Sequence, residues 1–148
     1  DVYCFFHYAL KLQIQLLINL KNLGYYTIYK SHPDRLLEVG NLMNNFADEC
    51  NNCKFEDVWD KADALVFTVT TSTTFGFAIT TPLPIVLINA TSTDWNYYRK
   101  LLIKKRIHIL DYTYNNGKHK GINSEKLNYS LEKAKNKIPI NLIKGLLN

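Results

Sequence analysis

Two polar stretches of this chain carry the residue types from which an anion site is built. Lys30, Ser31 and His32 follow a short β-branched and aromatic run, and Thr70-Thr71-Ser72-Thr73-Thr74 follows a continuous apolar one. Hydroxyls at Ser72, Thr73 and Thr74 can donate to phosphate oxygens, while Lys30 or His32 can supply a compensating charge. A helix opening at the second stretch would add its unpaired N–H groups and the positive end of its dipole, an arrangement that suits phosphate. Each stretch has a plain structural counterpart as well. A Ser/Thr cluster before a helix is often simple capping, Lys30 could be a solvated strand end, and His32 could bond a neighbouring carbonyl. What favours chemistry is their conjunction: two polar loops at equivalent strand ends, able to clamp a diphosphate between them.

The elements that must position these loops are legible from periodicity. Apolar residues at helical spacing from Leu10 to Leu23 predict a helix over residues 7–23, with Gly24 as its stop. Residues 25–29 read as a short strand. Pro33 fits the first position of the next helix, whose buried face would be Leu36, Val39, Met43 and Phe46, and which the asparagines at 44, 45, 51 and 52 would end. A helical piece over 56–61 leads into a buried strand at 64–69, a helix at 75–80 and a second buried strand at 85–88. A helix at 94–105, a strand at 107–110 and a helix at 124–135 capped by Asn123 or Ser124 complete the series. That alternation predicts an α/β fold, a Rossmann-like parallel sheet flanked by helices on both faces. In such a sheet the ligand crevice lies beyond the carboxyl ends of the strands, where both polar loops fall.

Composition bounds the rest. With 148 residues, 47% of them hydrophobic, the chain has the size of one domain with a real core. Residues 1–136 are expected to form that domain and residues 137–148 a C-terminal tail whose Ile138, Ile140, Ile143, Leu146 and Leu147 give it an apolar face. Eighteen basic against thirteen acidic residues leave a net charge of +5 with no basic arm, which a phosphorylated small ligand explains without nucleic acid. Cys4, Cys50 and Cys53 are too few for a secreted disulfide framework and point to a reducing, cytoplasmic setting. Cys50 and Cys53 have redox or zinc spacing, but a second pair of ligands at such spacing is missing, and they read as two loop cysteines. No apolar run has the length needed to cross a bilayer. The chain opens without Met and with helical sequence almost at once, as a piece of a longer protein would.

The stretches "TIYKSHPDR", "FEDVWDKADALVFTVTTSTTFGFA" and "PLPIVLI" carry a resemblance over roughly residues 10–110. They resemble the C-terminal, nucleotide-binding half of GT-B glycosyltransferases, especially bacterial enzymes of capsule and surface polysaccharide biosynthesis. They are similar too to the glycerophosphotransferases of teichoic acid synthesis and to the nucleotide-sugar 2-epimerases. The shared pattern is a K-x-H-P turn, an aspartate opening a strand, a Ser/Thr phosphate turn and a proline opening the next strand. Lys30, His32, Pro33, Asp63, Ser72, Thr73 and Pro84 occupy those positions. The resemblance implies that Ser72, Thr73 and Thr74 bind donor phosphates with His32 nearby, and that backbone around Lys54 and Phe55 faces the base. It implies a nucleotide-sugar donor, no cofactor and no metal, a separate N-terminal acceptor-binding half, and room for peripheral membrane association of the full-length enzyme. The terminal helix would cross back to that half. One feature departs from the pattern: many such enzymes place a ribose-binding glutamate just after the Ser/Thr turn, where this chain has Phe75, Gly76 and Phe77. The corresponding half of a nucleotide-sugar 2-epimerase or of a glycerophosphotransferase, and a non-catalytic Rossmann-like interaction module, are the alternative expectations.

Overall fold

The computed structural model describes residues 2–32, 39–90, 97–112, 114–115, 118–119 and 122–137. Helix α1 (Val2–Asn22) is followed by β1 (Ile28–Lys30), α2 (Asn41–Met43) and β2 (Glu49–Asn51). Two 3₁₀ turns, Phe55–Asp57 and Trp59–Lys61, lead to β3 (Leu65–Phe67), α3 (Thr73–Thr80), β4 (Ile85–Asn89), α4 (Tyr97–Arg106) and β5 (His108–Asp111). A small antiparallel ladder, β6 (Tyr114–Asn115) with β7 (Lys118–His119), precedes α5 (Ser124–Lys135). Strands β1 and β2 pair in parallel, and β3, β4 and β5 form a second parallel sheet in that order. The expected class, α/β with parallel strands and helices on both faces, is the one observed.

Strand β4 shows why helices are needed on both faces. Ile85, Val86, Leu87 and Ile88 are each at most 2% exposed, so the pleat sends alternate side chains into two different cores. Val86 and Ile88 pack with Leu12 and Leu16 of α1 and with Leu127, Leu131 and Ala134 of α5. Ile85 and Leu87 pack with Phe75 and Ala78 of α3, with Phe55, and with Ile107 just ahead of β5. A third cluster joins Leu17 of α1 to Val39, Met43 and Ala47, with Tyr29 and Cys50 against it. Helix α1 therefore contacts both sheets from adjacent stripes of its surface. Asn19 fastens it further, donating to the Ile122 carbonyl at 2.9 Å while its oxygen accepts from Ser124 Oγ at 2.7 Å.

Helix α1 ends as expected. Gly24 has φ +85, its N–H meets the Lys21 carbonyl, and the Tyr25 N–H reaches the Leu20 carbonyl, the two bonds of a Schellman close. The loop beyond is closed by Asp48, whose carboxylate accepts from the Thr27 N–H and hydroxyl at 2.8 Å each and lies 3.0 Å from Lys21 Nζ.

Three expectations are corrected. Strand β1 occupies Ile28–Lys30 rather than 25–29; Tyr25 and Tyr26 stay exposed on the loop after the Schellman turn. Glu49–Asn51 is a strand, not the end of a helix: three residues with an asparagine have little strand preference, and it is pairing with β1 and burial of Cys50 that hold them extended. The β6–β7 ladder had no counterpart in the expected series. Pro33, Leu36, the start of the helix expected from Asp94, and the tail over 138–148 lie outside the described residues. Among the described residues no helix is long and apolar enough to cross a membrane.

Arg106, the last residue of α4, is 2% exposed, yet its partners are all carbonyls. Its guanidinium donates to the Ile79 carbonyl at 2.9 Å, to the Thr81 carbonyl, and to the Leu83 carbonyl at 2.8 Å. Burial lowers its pKa, but a guanidinium stays charged. Replacement by Met should leave these acceptors unpaired and cost about 3 kcal/mol, measured as a lower urea midpoint with an unchanged slope.

Acid stability tests the Asp48 link. Its pKa is lowered by the Thr27 N–H, then by Lys21 and the Thr27 hydroxyl. A carboxyl depressed in the folded state contributes stability that is complete above its unfolded pKa and is lost as pH falls through the folded value. An Asp48→Asn variant should therefore show a flatter loss of stability below the ordinary carboxylate range than the parent chain, as read by unfolding midpoints across an acid pH series.

Candidate functional site

Both polar loops sit at carboxyl ends of parallel strands. Lys30 is the last residue of β1, and its Nζ donates to the Ser31 carbonyl at 2.7 Å. Burial pushes the Lys30 pKa down, while the nearby Cys53 and Glu56 push it up. Ser31 is 3% exposed and fixed to β2, its N–H and hydroxyl both reaching the Asn51 carbonyl, at 3.1 and 3.3 Å. His32 is exposed on the loop.

The second loop begins α3 three residues after Thr70. Ser72 is its N-cap, extended at φ −91 and ψ 147, with Oγ accepting from the Phe75 N–H at 3.2 Å. Thr73 and Thr74 are the first two helical residues, so their N–H groups have no intrahelical partner. Thr73 is exposed and Thr74 half-buried. Ser72 therefore does cap the helix, and Thr73 stays exposed at its start.

Lys54 and Phe55 connect the loops. Lys54 is exposed and precedes the first 3₁₀ turn, whose closure uses the Lys54 carbonyl for Asp57 and the Phe55 carbonyl for Val58. The Phe55 ring is 7% exposed and lies edge-on to Phe77 of α3 at 6.0 Å and to Phe67 of β3 at 6.3 Å. Phe67 in turn meets Phe75 at 5.2 Å. This ring cluster locks the turn against α3, and Cys53 and Glu56 on either side of it are within electrostatic range of Lys30. The turn is thus packed on α3, while Lys30 ends one parallel strand and the start of α3 follows another. Phe55 gives its ring to the core. Asp63 is exposed ahead of β3, and Pro84, which has no N–H to give, offers its carbonyl to the Leu65 N–H at 2.9 Å where β4 begins.

Cys50 lies within β2 and Cys53 two residues beyond its end. Cys50 packs with Tyr29 against the α1–α2 core, and burial, then the Glu49 charge, raises its pKa. Cys53 is exposed, its N–H held by Asn51 Oδ1 at 2.9 Å, within electrostatic reach of Lys30.

A second polar pair on the same side of the sheet went unread in the sequence. Asn89 ends β4 and Asp111 ends β5; they are register partners, and Asn89 Nδ2 donates to Asp111 Oδ1 at 2.9 Å. The signal available was a polar residue closing each apolar run at its carboxyl end.

Ser72 should be separable from Thr73 by stability. Ser72→Ala removes the cap and should cost about 1 kcal/mol. Thr73→Ala should stay within about 0.5 kcal/mol of the parent in the same urea titration, since it is exposed and makes no cap.

Comparison of the chain with protein-family models, with curated proteins and with solved structures gives no match in any of them.

Proposed function

We propose that this chain is the donor-nucleotide-binding domain of a GT-B-like glycosyltransferase, acting in the synthesis of a surface polysaccharide. What supports the proposal is that Lys30 and the capped start of α3 each lie at the carboxyl end of a parallel strand, with the Lys54–Phe55 turn packed on α3. A nucleoside diphosphate fits that arrangement in parts. The start of α3 offers the N–H groups of Thr73 and Thr74 and the Thr73 hydroxyl to phosphate oxygens, with the helix dipole adding to their pull. Lys30 and Lys54 offset the remaining negative charge from the neighbouring segments. The main chain at Lys54 and Phe55 borders the base.

In the transfer step an acceptor hydroxyl, giving its proton to a base, bonds to the sugar's anomeric carbon as that carbon's bond to the nucleotide phosphate oxygen breaks, and charge builds on the departing phosphate. Donors already fixed at the start of α3 stabilise that charge without reorganising, which is how such a site accelerates the reaction. An acceptor-binding half carrying the catalytic base would complete the enzyme, so the domain by itself binds donor without turning it over.

Calorimetric titration of the chain with uridine, cytidine and guanosine diphosphates and their sugar conjugates tests this. At least one should bind, and Thr73→Ala combined with Lys30→Gln should weaken it by about 1 to 3 kcal/mol while the fold is kept. Absence of binding by every nucleotide at millimolar concentration, in a sample shown to be folded, would overturn the proposal.

A further inference from the structure

The net charge of +5 is unevenly held along the chain. Eleven of the eighteen basic residues, against three of the thirteen acidic ones, fall between Tyr97 and Lys137, so that stretch is strongly positive and the chain before it is net negative. Helix α4 contains no acidic residue, and Lys100, Lys104 and Lys105 are exposed on it. No carboxylate among the described residues forms an ion pair with these three, with Lys133 of α5 or with Lys137 just beyond it.

The fold brings the ends of these two helices together. Lys137 Nζ donates to the Lys104 carbonyl at 2.8 Å, the Tyr129 ring stands edge-on to His108 at 6.2 Å, and Lys133 Nζ lies 5.3 Å from the centre of the same ring. His108 opens β5, two residues after α4 ends, so the meeting point lies at the amino ends of the parallel strands, opposite the end from which α3 starts. Two side chains with apolar bodies are exposed beside the lysines. Leu101 is 44% exposed, one helical turn before Lys104 and Lys105, and Tyr129 is 59% exposed, one turn before Lys133. A basic last turn also offsets the helix dipole, but that accounts for neither Lys100 and Lys137 nor the exposed leucine and tyrosine.

We propose that the face built from the ends of α4 and α5 docks the domain on a bilayer surface rich in anionic lipid. Charge complementarity carries the choice: unpaired lysines gathered on two joined helices are drawn to a negative surface within a Debye length of it. Lysine is a compact, hydrated point charge on a long apolar stem, suited to a diffuse layer of headgroups. Tyr129 fits the headgroup level with an apolar ring and a polar tip, and Leu101 can bury itself just below. A nucleic acid would satisfy the lysines and leave Leu101 in water. The inference is independent of the donor-binding reading, because the face lies at the opposite end of the sheet from the start of α3.

Co-sedimentation with vesicles of phosphatidylcholine alone, or mixed with phosphatidylglycerol, tests it. The parent chain should bind the mixed vesicles, release them as salt is raised, and ignore pure phosphatidylcholine. Lys104→Glu combined with Lys133→Glu should lower the partition coefficient about tenfold or more. Lys11→Glu combined with Lys61→Glu changes the net charge equally at exposed positions on α1 and the second 3₁₀ turn, and should stay within about twofold of the parent. Thermal unfolding checks each variant, and Lys100→Glu with Lys105→Glu replaces the first pair if that pair fails to fold. A parent chain that ignores the mixed vesicles at low salt, or two variants that lose binding equally, would overturn the proposal. So would tighter binding to a single-stranded oligonucleotide than to the vesicles, lost in the Lys104 and Lys133 variant, which would make the face a nucleic-acid site. Nucleotide titration of the same samples reports on the donor reading separately.

Discussion

The buried guanidinium of Arg106 is the constraint around which the candidate site is arranged. Helix α3 is only eight residues long, too short to hold its place by its own hydrogen bonds. One of its ends is fixed by Arg106, which gathers the carbonyls of Ile79, Thr81 and Leu83 where the helix stops and the chain turns toward β4. A helix C-terminus is the negative end of the dipole, so the cation offsets partial charge there without needing a carboxylate partner. Its other end is fixed by Ser72, and between them Phe75 and Ala78 lock into the core. The start of α3 is thereby held in a defined place.

The second support is shared packing. Strand β4 gives one row of side chains to α1 and α5 and the other to α3 and its neighbours, so a shift of either layer is felt in the strand between them. Helix α1 adds a link to the smaller sheet through Leu17 and the cluster beneath β1 and β2. Lys30 therefore inherits its position from the same helix that covers β4. The Phe55, Phe67, Phe75 and Phe77 rings bind the remaining segment to this frame, which explains aromatic residues at positions where the resemblance would have placed a ribose-binding glutamate.

Most of this order could be read in the sequence because buried strands and amphipathic helices write themselves in apolar periodicity, and Gly24, Ser72 and Asn123 punctuate them by known backbone chemistry. What could not be read depends on partners distant along the chain. Strand β2 exists because β1 pairs with it, and its own residues, Glu49, Cys50 and Asn51, say nothing of that. Arg106 is one more basic residue at the end of a basic helix until the carbonyls it meets, 23 to 27 residues away in sequence, are known. The polar loops at Lys30 and Ser72 were visible as clusters, whereas Asn89 and Asp111 stand alone in sequence and become a pair only when β4 and β5 align.

The placement of α5 has a consequence for how the chain matures on the ribosome. Leu127, Leu131 and Ala134 cover the face of β4 that holds Val86 and Ile88, and Asn19 waits for Ile122 and Ser124, more than a hundred residues downstream. Translation delivers α1 and β4 well before α5, so for several seconds a strand made almost wholly of aliphatic side chains has one flank open. A nascent chain in that condition is a natural client for ribosome-associated chaperones, and a pause in elongation anywhere between β5 and α5 would lengthen the interval in which β4 can pair with a neighbouring chain instead of its own helix.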